Sequence, residues 1–236
     1  MKVFVSTAMR CGSTWVAKLA AELLGVVQLD FQGVGFSRGG LCKEDREELE
    51  KLDGVIKLHS SVPLAVVGLG KVVTVRRDWL PSLVSNFIYS LVVREQQGLE
   101  LDKRIKIYKE THDGMSVEGM LNGFLVSNLD WVDETWGAWK DFSKVNIHKA
   151  ILNLKFEELK HDGAVILKLA KFLDVSLTME RMKELRESFR LENFKKVWGW
   201  DKGGYQFVNS GDDNYNVSLL EPTTIKTLRH RYEYLQ

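Results

Sequence analysis

An apolar run, Val3-Phe4-Val5, leads through Ser6-Thr7-Ala8-Met9-Arg10-Cys11-Gly12-Ser13-Thr14 into Trp15-Val16-Ala17-Lys18-Leu19-Ala20-Ala21-Glu22-Leu23-Leu24 and then Gly25. The first run reads as a strand and the last as a helix stopped by Gly25. A short turn of glycine and hydroxyl residues between them leaves the N–H groups of the first helical turn without acceptors inside the helix. Such a corner attracts an anion. Ser13 and Thr14 add hydroxyl donors, and Arg10 adds a permanently charged fork suited to phosphate oxygens. The competing reading is a strand–helix turn whose Ser or Thr only caps the helix. The nucleoside-triphosphate loop G-x-x-x-x-G-K-[ST] is absent, because the turn has one glycine and no lysine after it. ATP with magnesium is therefore not the expected occupant.

The rest of the chain alternates in the same manner. Further strands are expected at 26–29, 55–58, 71–75 and 150–154. Helices are expected at 43–52, from 80 to about 95 with Pro81 in the first turn, and at 117–142, 164–173 and 179–189, with a last one running from Pro222 to near 234. The segments 31–40, 99–115 and 194–215 read as a glycine-rich loop, a polar excursion and an irregular stretch. Alternating strands and helices predict an α/β fold, a central and mainly parallel sheet flanked by helices. The three prolines and the absence of a Ser/Gly/Pro-rich linker point to a single domain over residues 1–236. In such sheets ligands bind beyond the C-terminal strand ends. Three groups fall there: the turn at 7–14, Lys57 with His59, and Arg76 with Arg77.

Composition narrows the classes. With 33 basic and 32 acidic side chains the net charge is +1, which gives no reason to expect nucleic-acid or polybasic membrane binding. The two cysteines, Cys11 and Cys42, fit a reducing compartment and have no metal-ligand spacing, so no metal is expected. Cys11 is read as a small packed residue rather than a nucleophile, although an electropositive turn favours its thiolate. The first strand begins at residue 2 or 3, and no apolar run approaches about 18 residues. A cytoplasmic setting without a membrane span is expected.

Each candidate residue has a plain structural reading beside the chemical one. Lys57 and His59 are two apart on an extended segment and share a face. His59 can take a proton from a substrate hydroxyl near neutral pH, with Lys57 neutralising charge on a transferred group. Alone, His59 reads more readily as a satisfied surface histidine. Arg77 ends a strand and Ser85 lies eight positions on in the next helix, a pair able to hold one anion from two sides. Alone, they read as a solvated strand end and a solvated helix face. Trp15 stacks on a base or fills the helix–sheet core, and the core is the more ordinary fate of tryptophan.

Taken together, these segments resemble the sulfotransferases that use 3′-phosphoadenosine 5′-phosphosulfate (PAPS). Arg10-Cys11-Gly12-Ser13-Thr14-Trp15 is similar to that family's [KR]-[SC]-G-[ST]-T-W loop, and Lys57-Leu58-His59 to its K-T-H. Arg77 and Ser85 keep the spacing of its R-N-P-x-D-x-x-x-S. Gly137-Ala138-Trp139 is similar to a G-x-W ending, Leu154-Lys155-Phe156-Glu157-Glu158-Leu159 to Y-E-D-L, and 166–173 to I-x-x-F-L.

The resemblance implies that residues 10–15 hold the 5′-phosphosulfate, that Arg77 and Ser85 hold the 3′-phosphate, and that His59 is the catalytic base, assisted by Lys57 and Arg10. It implies PAPS as co-substrate, PAP (3′-phosphoadenosine 5′-phosphate) as product, and a small-molecule hydroxyl or amine acceptor, partly apolar in keeping with the Phe31–Phe36 loop and the tryptophan-rich helix. The departures are specific. Asp78-Trp79 replaces N-P, a change expected to alter only the turn. Phe156 replaces the tyrosine of Y-E-D-L and lacks its adenine-contacting hydroxyl. The C-terminal R-K-G…G-D-W-K is reduced to Gly211-Asp212, with Lys202-Gly203 the candidate substitute at the nucleotide. A P-loop small-molecule kinase and a non-catalytic nucleotide-binding relative remain the alternatives.

Overall fold

The computed structural model describes residues 1–8, 11–31, 42–58, 66–87, 150–161, 163–190 and 222–233, with 106, 110, 119, 121, 193, 217 and 220. The chain forms two compact units, residues 1–77 with 133–190 and residues 78–132 with 191–236. The expected 99–115 excursion, tryptophan-rich helix and 194–215 stretch lie almost wholly outside the described residues, as does the 32–40 part of the glycine-rich loop.

The first unit contains a five-stranded sheet, β1 (Lys2–Ser6), β2 (Gln28–Phe31), β3 (Gly54–Leu58), β4 (Lys71–Arg76) and β5 (Ile151–Lys155), in the order β2-β3-β1-β4-β5. Every pairing is parallel. All five strands expected from the β-branched and apolar runs are present. The second starts two residues late, at Gln28 rather than Val26. Gly25 closes the preceding helix in a left-handed conformation (φ 65°), and Val26 N still bonds back to Ala21 O at 3.0 Å. Val27 O accepts from Val55 N of β3 at 3.4 Å, but the paired register begins only at Gln28, and the Val27 residue is left 72% exposed.

Register sorts the side chains between the two faces. Phe4 stands level with Ile56 and Val72, and these three pack with Phe31, Leu49, Leu58 and Val66 into one buried cluster. Leu49 comes from α2 (Lys43–Lys51), which therefore covers this face. The alternate positions, Val3, Val5, Val55 and Lys57, point to the other face. There α1 (Ser13–Leu24) lies across β1 and β3 and against α5 (Ala164–Phe172). Full burial of each Val, Ile or Phe contributes about 1.5–3 kcal/mol, so a sheet buried on both faces supplies most of the drive for this layering.

Between β5 and α5 runs α4 (Phe156–His161), where the sequence suggested only a strand end. The reason is local. Glu158 occupies the third helical position, and its carboxylate accepts from the backbone N–H of Lys155 at 3.4 Å, as in half of a capping box. The same carboxylate accepts from Lys168 Nζ at 3.0 Å and so ties α4 to α5. A last helix of this unit, α6 (Met179–Ser188), is capped by Thr178 Oγ1 on Arg181 N and joined to α1 by the Arg181–Glu22 ion pair.

The second unit includes α3 (Trp79–Phe87) and α7 (Pro222–Arg231). Asp78 caps α3 by accepting from Leu80 N at 3.1 Å, and both its oxygens face Arg229 of α7, one at 2.6 Å. Trp79 packs edge-on to Tyr232, ring centroids 5.1 Å apart. The Asp78-Trp79 departure thus does more than alter a turn, because both residues are engaged by the C-terminal segment.

The Lys168 ammonium, followed by the Lys155 amide, holds the Glu158 carboxyl below its ordinary value of 4.5. A depressed folded pKa stabilises the fold above the unfolded value and loses that contribution as pH falls through the folded one. Glu158→Gln is expected to unfold earlier in urea at pH 7, by up to about 1 kcal/mol for so exposed a pair. The difference from wild type should fade below pH 4.5. A difference that persisted undiminished at pH 3 would refute the assignment.

Candidate anion site

Because β1 is flanked by β3 and β4, the C-terminal ends of these three strands are neighbours on one edge. The edge stays closed past β1, where Thr7 N bonds to Leu58 O at 3.5 Å. The chain then turns through Cys11 and Gly12 into α1. Gly12 sits at the N-cap in the left-handed region, φ 88° and ψ 18°. Its carbonyl accepts from Val16 N at 3.1 Å, the first rung of the helix ladder. The N–H groups of Ser13, Thr14 and Trp15 lie ahead of that rung and are directed out of the helix end.

The start of α1 differs from the starts of α2 and α6. Those are capped by the side chains of Cys42 and Thr178 and carry Glu44, Asp45 and Glu180 in their first turns. The N-cap of α1 is Gly12, which has no side chain to cap it, and the first turn holds no acidic residue. An end left in this state favours an external anion over a carboxylate of the chain itself.

Glycine at position 12 is required twice over. Its φ is one that residues with a Cβ rarely adopt. A Cβ built there would also stand 3.1 Å from Phe156 Cδ2 and 3.1 Å from Leu159 Cδ1. Phe156 and Leu159, from the start of α4, therefore form the floor of the turn. The other role of Phe156 is to carry Arg77, whose guanidinium carbon lies 4.1 Å from the ring centroid. A cation on an aromatic face gains about 0.5–2 kcal/mol and keeps its charge. The tyrosine-to-phenylalanine departure removes a hydroxyl but leaves the face, and it is the face that Arg77 and Gly12 use.

Lys57 approaches from β3. Its ammonium lies 3.3 Å from Thr14 Oγ1 and 3.2 Å from Asp30 Oδ2, with the side chain only 11% exposed. The sequence reading contained Lys57 and Thr14 as separate members, and the structure brings them together. It did not contain Asp30, nor Gln28, whose amide donates to Asp30 Oδ1 at 2.7 Å. The signal was the alternation of polar and apolar residues in Gln28-Leu29-Asp30-Phe31, whereas the strand was expected at 26–29.

Cys11 is buried at 1% exposure, in keeping with its reading as a packed residue. Trp15 is likewise buried, which favours the core reading for its ring. Ser85 is a buried residue of α3 in the second unit. Arg10, His59, Lys202 and Gly203 lie outside the described residues. Among the described residues, no helix is long and apolar enough to cross a membrane.

The model of the sulfotransferase domain family matches residues 1–206. The chain belongs to the sulfotransferase domain family. No curated protein matches it in sequence. Among solved structures, it is similar to a mouse sulfotransferase (SULT7A1) complexed with PAP, at 15% identity and TM-score 0.63, covering 99% of this chain and 83% of that one. It is also similar to a retinol dehydratase, solved once with androsterone and inactive cofactor PAP and once with retinol and PAP. Both of these matches have 16% identity and TM-score 0.63 and cover 99% of this chain and 80% of that one. At such identity the likeness establishes the shared fold, and it agrees with the parallel sheet described above.

Gly12→Ala should therefore be damaging out of proportion to its size. A left-handed backbone at a non-glycine residue costs about 1–3 kcal/mol, and the methyl would press on Phe156 as well. Urea denaturation should show a loss in that range, and calorimetry a loss of nucleotide binding. Unchanged stability together with unchanged binding would show that the corner does not depend on this conformation.

Proposed function

We propose that this sulfotransferase moves the sulfuryl group of PAPS to a hydroxyl or amine of a small, partly apolar acceptor, with residues 1–236 acting as one domain. The observation that carries the reading is the placement of Lys57 on Thr14 at the glycine-led start of α1, within a chain of this family. The family match supports the single-domain reading, since residues 1–206 draw on both compact units.

The donor set suits the co-substrate. Gly12, with no Cβ, lets backbone approach an anion closely, and Ser13 and Thr14 bring hydroxyls and N–H groups to the same corner. Arg10 and Lys57 add cations, and Cys11 and Trp15 complete the loop. In this reading residues 10–15 hold the 5′-phosphosulfate. Arg77, laid on Phe156, and Ser85 hold the 3′-phosphate, and Lys202-Gly203 close over the nucleotide. PAPS supplies an activated sulfuryl group whose departing partner is the 5′-phosphate of PAP.

The chain's own residues then have distinct tasks. His59 takes the proton of the acceptor as its oxygen or nitrogen attacks sulfur in line. Lys57, Arg10 and the N–H groups of the turn stabilise charge that builds on the bridging and sulfuryl oxygens, about 3 kcal/mol for one well-placed donor. The scheme requires no metal. Retinol and androsterone, bound by the retinol dehydratase, are alcohols on apolar frames, which supports an acceptor of that type here.

Two measurements test these roles. His59→Ala should lower PAP release from PAPS with a hydroxyl acceptor by about a hundredfold or more while PAP binding holds. Turnover near the wild-type rate would remove His59 as the base. Arg77→Ala and Ser85→Ala should each weaken PAP by about tenfold in calorimetry and leave adenosine 5′-phosphosulfate, which lacks the 3′-phosphate, nearly unchanged. Equal losses for both nucleotides would refute the 3′-phosphate assignment.

A further inference from the structure

Lys57 is held from behind. Gln28 and Asp30 lie on β2 at i and i+2, and Asp30 stands level with Lys57 in the parallel β2–β3 register. All three therefore project to the same face of the sheet, the one covered by α1. A continuous polar chain results. The Gln28 amide donates to Asp30 Oδ1 at 2.7 Å. Asp30 Oδ2 faces Lys57 Nζ at 3.2 Å. Lys57 Nζ donates to Thr14 Oγ1 at 3.3 Å. The other face of the same strand, Leu29 and Phe31, is committed to the apolar cluster, so β2 cannot slip without breaking both sets.

The direction of these hydrogen bonds matters. An ammonium has donors only, so the Thr14 oxygen must accept, and the Thr14 hydroxyl hydrogen is left for a different acceptor. With both carboxylate oxygens engaged, Asp30 has its orientation set by Gln28 and its charge directed at Lys57. A lysine on a four-carbon stem otherwise samples many rotamers, and holding it in one is an entropic task.

Taking the proposed sulfuryl transfer as the reaction, we propose that Asp30 is a positioning residue for Lys57, anchored by Gln28, which holds the ammonium on Thr14 so that both groups address the transferring sulfuryl group. Asp30 does not itself touch the anion. Its half-exposed carboxylate is a like charge near an anionic ligand, and this yields a signature that a purely structural residue lacks. Removing that charge should not weaken nucleotide binding, yet it should slow the chemical step that depends on the placement of Lys57.

The test is a double-mutant cycle of Asp30→Asn and Lys57→Met, read in two ways: PAP affinity by calorimetry, and PAP release from PAPS with water as acceptor at enzyme excess, which needs no knowledge of the natural acceptor. Asp30→Asn alone should leave PAP affinity within about threefold of wild type, or tighter, and slow release by about tenfold or more. In the Lys57→Met background the same substitution should change release by less than about twofold, because a residue that acts through Lys57 has nothing left to act on. Losses that multiply across the two sites would overturn the proposal. So would an Asp30→Asn protein that releases PAP at the wild-type rate, or one whose PAP affinity falls in step with its rate, as a damaged fold gives. Failure of the wild-type protein to bind PAP or to release it from PAPS would instead sink the reading of the site on which the proposal rests.

Discussion

The left-handed backbone at Gly12 is the constraint on which the corner proposed to hold the anion depends. β1 is enclosed between two parallel neighbours, so its chain can leave only over the C-terminal edge and must reverse at once to lay α1 across the sheet. Gly12 makes that reversal with no side chain, and the space a side chain would need is filled from below by Phe156 and Leu159. The turn, the start of α1 and the start of α4 are consequently one packed object. Glu158, by capping α4 and holding α5, fixes the floor on which the turn stands.

Two cations reach this edge and are held by opposite means. Lys57 is clamped by a carboxylate and a hydroxyl, which order it and partly offset its charge. Arg77 lies on the Phe156 ring, which orders a guanidinium through its quadrupole and leaves its charge in force. A chain with net charge +1 has no general field with which to draw in an anionic nucleotide. Attraction must then come from a few cations whose positions are fixed in advance, and the sheet edge supplies two such positions from the strands on either side of β1.

Much of this was legible in the amino-acid order. The β-branched runs marked the five strands, Gly25 marked the end of α1, and the glycine-hydroxyl turn marked the corner, because those signals are local and strong. Less visible were the features set by register or by single side chains reaching across elements. The start of β2 was displaced because apolar Val26 and Val27 outbid Gln28 as strand formers in isolation, although Val26 N still bonds back to α1 and the register with β3 begins at Gln28. The helix at Phe156 was hidden because its cue was one glutamate bonding back to Lys155. Asp30 escaped notice because nothing in Gln28-Leu29-Asp30-Phe31 says which strand will lie beside it. Phe156 was counted as a lost hydroxyl, whereas its ring is what the neighbouring residues use.

The contacts of Asp78 and Trp79 bear on where this protein begins and ends as a working unit. The recognisable family segment stops at residue 206, while α7 starts only at Pro222. Yet Arg229 meets the carboxylate that caps α3, and Tyr232 packs edge-on with Trp79. A fragment trimmed to the recognisable boundary would expose an indole and strip the counter-charge from Asp78, at the head of the helix that carries Ser85. In this chain the tail beyond the family signature is structural material for the helix that follows Arg77, and expression or engineering should retain it whole.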